Sequence, residues 1–210
     1  MKLETNEHLA KLEQVIETAK NMLPRHEYPD NLRTVLLAGS IDQMIEHHEA
    51  MQLLIRSRKV GSAFAIARSI FEGLYRGAWI LMCATDADLE RFEKEDKLPL
   101  NMPEMAKALD AKAELGSFFT DLLNRGWRFL NSYAHTGLLQ LGRRFTGHKL
   151  QPAYRDSEIL EITTTTTTCL LLLVRLFFGH HRHDDDATEI ERLTSSYGPA
   201  SSLQNPSITR

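Results

Sequence analysis

The stretch of this 210-residue chain best equipped for chemistry is Arg128-Phe-Leu-Asn-Ser-Tyr-Ala-His135. A helix turns about 100° per residue, so it sets Arg128 and His135 on one side, two turns apart. Asn131 and Ser132 fall between them, and Phe129, Leu130, Tyr133 and Ala134 take the other side. A guanidinium, an amide, a hydroxyl and an imidazole in one stripe suit phosphodiester cleavage. Histidine takes or gives a proton near neutral pH. Arginine holds a phosphate by two hydrogen bonds and offsets charge in the transition state.

Three further groups carry charge in a pattern. Arg68, Glu72 and Arg76 are spaced i, i+4, i+8 on an otherwise apolar segment, so they form one column in which Glu72 pairs with either arginine. A carboxylate buried between two arginines must be paired to be tolerated. Such a triad orients His135 or holds an anion if two helices bring it beside Arg128 and His135. The run Gln140 to Lys149 holds Arg143, Arg144, His148 and Lys149 around Phe145, a basic patch able to track a phosphate backbone or simply to end a helix. His180-His-Arg-His183 precedes Asp184-Asp-Asp186. Histidine tracts bind zinc or nickel, yet no CxxC or HExxH accompanies this one, and the acidic run suits a helix start. Glu46-His47-His48-Glu49 reads as polar surface. No metal site and no cofactor follow from these patterns.

An arginine followed a few residues later by histidine, late in a helical chain of this size, resembles the HEPN superfamily of prokaryotic defence and toxin proteins. More narrowly, two stretches look like an uncharacterised bacterial family of HEPN-like helical proteins. One is Ala67-Arg-Ser-Ile-Phe-Glu-Gly-Leu-Tyr-Arg-Gly-Ala-Trp79. The other is Asn131-Ser-Tyr-Ala-His-Thr-Gly137, with Gln140 and Arg143-Arg144 after it. The narrower likeness runs from about Ser62 to Leu173. The resemblance implies a metal-independent ribonuclease whose Arg and His meet across a homodimer interface. Arg128 and His135 would be its catalytic pair. Asn131, Ser132, Tyr133 and the Arg68–Glu72–Arg76 column would support it, and the Arg143–Lys149 run would bind nucleic acid. It also implies an RNA substrate and a protein partner, an antitoxin or defence component. The competing reading is a non-catalytic helical module that dimerises or binds a protein.

The elements that must position these groups are helices. Hydrophobic residues make up 42% and charged residues 25%, with a net charge of −3, which suits a globular domain and not a protein that coats nucleic acid. Cys83 and Cys169 lie in apolar segments and read as buried thiols of a reducing compartment. The first twenty residues are charged throughout and lack an apolar signal core, so the expected location is cytoplasmic. Helical spacing runs from Asn6 to Leu23. It resumes from a cap at Asp30 to near Arg58 and, after a break at Gly61-Ser62, from Ser62 to Ala84. A charged stretch, Asp86 to Lys97, leads to a short helix from Pro103 to Leu115. A helix opened by Ser117 is expected to pass His135, and Gly147 to Arg155 reads as a loop. The last long helix starts at Asp156 or Ser157 and carries six threonines, Thr163 to Thr168, with no strand candidate to pair with them. Its apolar run, Cys169 to Phe178, contains Arg175 and is shorter than the ~20 residues of a membrane span. Asp184 to Leu193 reads as one more short helix. The expectation is a single all-α domain over residues 1–193. It would be a bundle of four to five long helices with short connecting ones, followed by a flexible tail over 194–210.

Overall fold

The computed structural model describes residues 3–114 and 116–197. The chain is 79% helical, which makes the protein an all-α bundle. The first helix, α1 (Leu3–Met22), buries the stripe Leu9, Leu12, Val15, Ile16, Ala19 and Met22. A short 3₁₀ turn (Leu23–Arg25) ends it at Pro24. Next comes α2 (Leu32–Arg56), capped by Asn31 rather than Asp30: the Asn31 side chain accepts the Thr34 N–H at 3.0 Å. The break after α2 is at Arg58, which adopts a left-handed φ of 61°. Gly61-Ser62 therefore lies inside α3 (Val60–Met82). Gly61 is needed there for close approach, because a Cβ would sit 2.5 Å from the Tyr154 hydroxyl.

The charged stretch expected between helices is itself a helix, α4 (Asp86–Glu95), started by a reciprocal cap between Thr85 and Asp88. The same device, Asn101 with Glu104, starts α5 (Met102–Ala113). Next is α6 (Phe118–Ala134), which stops before His135 instead of passing it. A one-turn helix, α7 (Leu138–Gly142), leads into a two-stranded hairpin. The hairpin pairs β1 (Phe145–Thr146) with β2 (Lys149–Leu150), its turn and second strand falling in the region expected to be loop, and Gly147 takes φ 59° at its turn. Two helices close the chain, α8 (Asp156–His180) and α9 (Asp184–Tyr197). Thr194 to Tyr197, expected to open the tail, are thus the last turn of α9; the rest of that stretch lies outside the described residues.

Helix α3 is the hub. It packs on α2, α5, α6 and α8, while α9 lies on α8 and α1. Gly73 and Gly77 let two neighbours in. A Cβ on Gly73 would meet Met44 of α2 at 2.7 Å, and one on Gly77 would meet Leu173 of α8 at 2.6 Å. Helix α8 is long and apolar enough to cross a membrane by length and composition alone, and 61% of its most apolar window is buried inside the bundle. Its threonines stay helical because their hydroxyls donate to carbonyls one turn back. Thr163 bonds Ile159 at 2.7 Å, Thr166 bonds Ile162 at 2.9 Å, and Thr168 bonds Thr164 at 2.9 Å. These three hydroxyls are satisfied within the helix, whereas the buried Thr167 hydroxyl has no partner among the described residues.

His48 does not belong to a polar surface. It is 1% exposed, on the face of α2 that meets α8. Burial holds its imidazole well below the usual range, at about 4, against a hydrogen bond to the Thr166 backbone. Both cysteines are free thiols, Cys169 fully buried and pushed up to about 12 by that burial.

Two tests follow from this packing. Gly77→Ala is expected to destabilise the fold by ~1–3 kcal/mol, since Leu173 is itself fully buried and cannot step aside. Gly39→Ala, in open space on α2, is expected to stabilise by ~0.5–1 kcal/mol. Thermal unfolding of the two variants should shift in opposite directions. His48 sets the second test. Its folded-state pKa is depressed, so protonation favours the unfolded chain. The stability is fully present above the ordinary value of 6.5 and drains away as pH falls toward 4. The expected loss is on the order of 1 kcal/mol per pH unit across that window. Urea titrations of His48→Leu should lose most of this slope, leaving the smaller same-sign contributions of His8 and His181, whose values burial also lowers.

Candidate functional site

Helix α3 turns its apolar side to the core and leaves the charged column on its other edge. Arg68 Nε donates to Glu72 Oε1 at 2.6 Å, and the Arg76 guanidinium lies 3.5 Å from Glu72 Oε2. Glu72 is 19% exposed and Arg68 21%, so the pair is shielded, whereas Arg76 is half exposed. Helix α6 is then laid beside the column by three fixed points. Asp110 of α5 accepts the N–H groups of Phe119 and Thr120 at 2.7 and 3.0 Å, satisfying two free donors of the helix start. Tyr75 donates its hydroxyl to the Phe119 carbonyl at 2.7 Å. Further along, Phe129 and Tyr133 pack on Phe64.

This placement sets Trp127 against Arg68, whose guanidinium lies over the indole, 5.0 Å from the ring centre. The favourable term there is the attraction of a cation to the ring face. Arg68 Nη1 also donates to His135 Nε2. A guanidinium has no acceptor, so the imidazole nitrogen must accept and the ring proton of neutral His135 sits on Nδ1. Beside Arg68 opens a cleft of about 310 Å³, lined by Arg68, Glu72, Arg76 and Trp127 together with Met102 and Met105 of α5.

The arginine that meets His135 is therefore Arg68, not Arg128. Arg128 is exposed on α6, outside the cleft lining and without a hydrogen bond or ion pair among the described residues. His135 is the residue that caps the end of α6, its N–H bonded to the Asn131 carbonyl at 3.0 Å. Ser132 is taken up by the turn that follows. Its hydroxyl accepts the Leu139 N–H at 3.0 Å, and a Cβ on Gly137 would strike that hydroxyl at 2.4 Å. Tyr133 is buried, 2% exposed, and burial together with Tyr154 pushes its phenol up to about 12, against a hydrogen bond to Arg143.

The basic run divides. Arg143 is committed to Glu158 at the start of α8 and to Tyr133. Arg144, His148 and Lys149 stand exposed on the hairpin. The histidine tract forms a latch: His183 stacks on His26 with ring centres 3.7 Å apart, and Asp186 pairs with His26, tying the start of α9 to the α1–α2 connection. Among the described residues no three or more His, Cys, Asp or Glu are grouped to hold a metal ion. A larger cleft of about 540 Å³ lies between α5, α8 and α9, where Arg175 is already paired with Glu191.

The sequence does not announce Trp127 or the α5 residues Met102 and Met105 as part of the site. An aromatic adjoining Arg128 and the Asn101-x-x-Glu104 cap were the available signals, but neither says what it faces. A family model described as a family of unknown function (DUF6988) matches residues 41–200. No curated protein and no solved structure matches the chain.

The tautomer of His135 tests the geometry. Long-range proton–nitrogen NMR of the neutral protein should show the His135 proton on Nδ1. In Arg68→Met it should revert to the Nε2–H form that free histidine side chains favour. An Nε2–H signature in the unaltered protein would contradict the Arg68 contact.

Proposed function

The chain belongs to the DUF6988 family, whose function is unknown, so membership assigns it no chemistry, and we propose from the site itself that the protein acts on RNA as a HEPN-like, metal-independent ribonuclease. What carries the reading is the contact of His135 with Arg68, an arginine that also lines the neighbouring cleft. The HEPN resemblance was carried by the Arg128–His135 spacing; in this reading His135 keeps its role and Arg68 takes the arginine role in place of Arg128.

The chemistry is strand cleavage by the substrate's own 2′-hydroxyl. That oxygen attacks the adjacent phosphorus, the bond to the 5′ oxygen breaks, and a cyclic phosphate and a free 5′-hydroxyl remain. His135 takes the 2′-hydroxyl proton or supplies one to the leaving oxygen. Arg68 exchanges its contact with His135 for the phosphate oxygens, where its paired donors match the developing charge. Glu72 holds Arg68 through the 2.6 Å bond at Nε and takes neither terminal nitrogen. Asn131 lies one turn before His135 as a positioning group. Arg128 joins only across a two-fold contact, in the homodimer that the resemblance implies.

One observation favours the second reading, a non-catalytic module that binds a protein partner. Leu138, Leu139, Leu141, Phe145 and Leu150, directly after His135, are all exposed, Leu138 at 84% and Leu150 at 78%. A cluster of exposed large apolar residues suits an interface.

His135 separates the two. It is exposed, so His135→Ala should leave the melting temperature nearly unchanged while lowering the rate of RNA cleavage by ~10²–10⁴. Arg68→Lys keeps the charge but loses the fork and should be impaired as well. Arg128→Ala should lose activity only if the enzyme is a dimer with a shared site. A protein that cleaves no RNA, and whose His135→Ala variant melts far lower, would leave the interaction module as the reading.

A further inference from the structure

Resting on the reading of this site as RNA-binding, we propose that the cleft seats one unstacked base of a single-stranded RNA against the Arg68–Trp127 stack, with the neighbouring phosphate on Arg76. The cleft has two unlike halves. Leu100, Met102, Pro103 and Met105 line one part with apolar surface that offers a phosphate nothing and a flat ring a good deal. The lining also holds the indole of Trp127 with the Arg68 guanidinium over it, 5.0 Å from the ring centre, two planar groups of the kind on which bases stack. Stacking of this sort tolerates any base, because every base has a π-face.

The charges fix which way a nucleotide enters. Arg68 is engaged three ways, with Glu72, His135 and Trp127. Arg76 is not: it is half exposed, and its one ion pair among the described residues is loose at 3.5 Å, so most of its five donors are uncommitted to those residues. The Glu72 carboxylate lies between the two arginines and repels a phosphate from the middle of the column. The backbone is thereby directed to the Arg76 end and the base to the Trp127 end. A base held in a duplex cannot enter, since its faces are already stacked. At about 310 Å³ the cleft is at the small end of ligand sites and takes one nucleotide rather than a helix.

The chain has two tryptophans, and Trp79 is 3% exposed, so Trp127 reports the cleft. A short oligoadenylate should quench Trp127 fluorescence, and the same strand carrying abasic sites should not. Labelled-RNA anisotropy should show Trp127→Ala losing about tenfold or more in affinity, with Trp127→Phe retaining most of it. Arg76→Gln should weaken binding and lower the slope of log affinity against log salt by about 0.7. Arg76 is exposed, so this variant keeps the test valid if Trp127→Ala fails to fold. The proposal falls if abasic and intact strands bind equally, if duplex RNA competes as well as single strands, or if Arg76→Gln leaves the salt slope unchanged. Where RNA still binds in those cases and Arg144→Ala weakens it, the RNA reading stands and only the base subsite is lost. Failure of every RNA to bind removes both.

Discussion

The close approach of α3 to α2 and α8 is the contact on which the rest of the structure depends. Gly73 and Gly77 remove two side chains from one face, and Met44 and Leu173 enter the space. The face is then closed by Ala67, Ile70, Leu74 and Ala78, each fully buried. Earlier on α8, the hydroxyls of Thr163, Thr166 and Thr168 return to carbonyls of their own helix. Interiors at crystal-like density tolerate no slack, so the angle of α3 within the bundle is set by this contact.

With one side of α3 consumed by the core, its charged column has one edge left to occupy. The site is the consequence. Arg68 and Glu72 are held at the margin of the bundle, shielded enough to be ordered and open enough to meet a ligand. Helix α6 is delivered to that margin by groups that serve no chemistry of their own, the Asp110 carboxylate at its start and the Tyr75 hydroxyl on its first turn. Cutting α6 short at Ala134 is as important as starting it correctly. The left-handed Thr136, φ 55°, and the Ser132–Gly137 turn free His135 from the helix and let its ring reach Arg68.

Several residues that look reactive in the sequence are spent on structure. Ser132 closes a turn, Arg143 ties the hairpin region to Glu158, and His183 and His26 stack where α8 gives way to α9. His48 lies in the core. Buried polar groups stabilise a fold only when paired, and the Nε2 atom of His48 has no partner among the described residues. Residues left less engaged, Arg76 and Trp127 at the cleft and Arg144 and Lys149 on the hairpin, are the better guide to where a ligand would go.

The helical character of the chain was legible in the sequence, because apolar residues at i, i+3 and i+4 leave a helix as the arrangement that buries one face. So was the column Arg68, Glu72 and Arg76, since intrahelical spacing is a local property. Helix ends were harder: Asn31 and Asp30 are both good caps, and Arg58 adopts a left-handed turn that its residue type does not announce. The partner of His135 was beyond reach. Arg128 is seven residues away and Arg68 is sixty-seven, and spacing along one helix says nothing about which neighbouring helix lies opposite. That choice is made by glycines, aromatic contacts and caps acting together across α3, α5 and α6. It is a matter of three-dimensional packing, in which residues distant in the chain compete for the same place and only the closest-fitting set can occupy it.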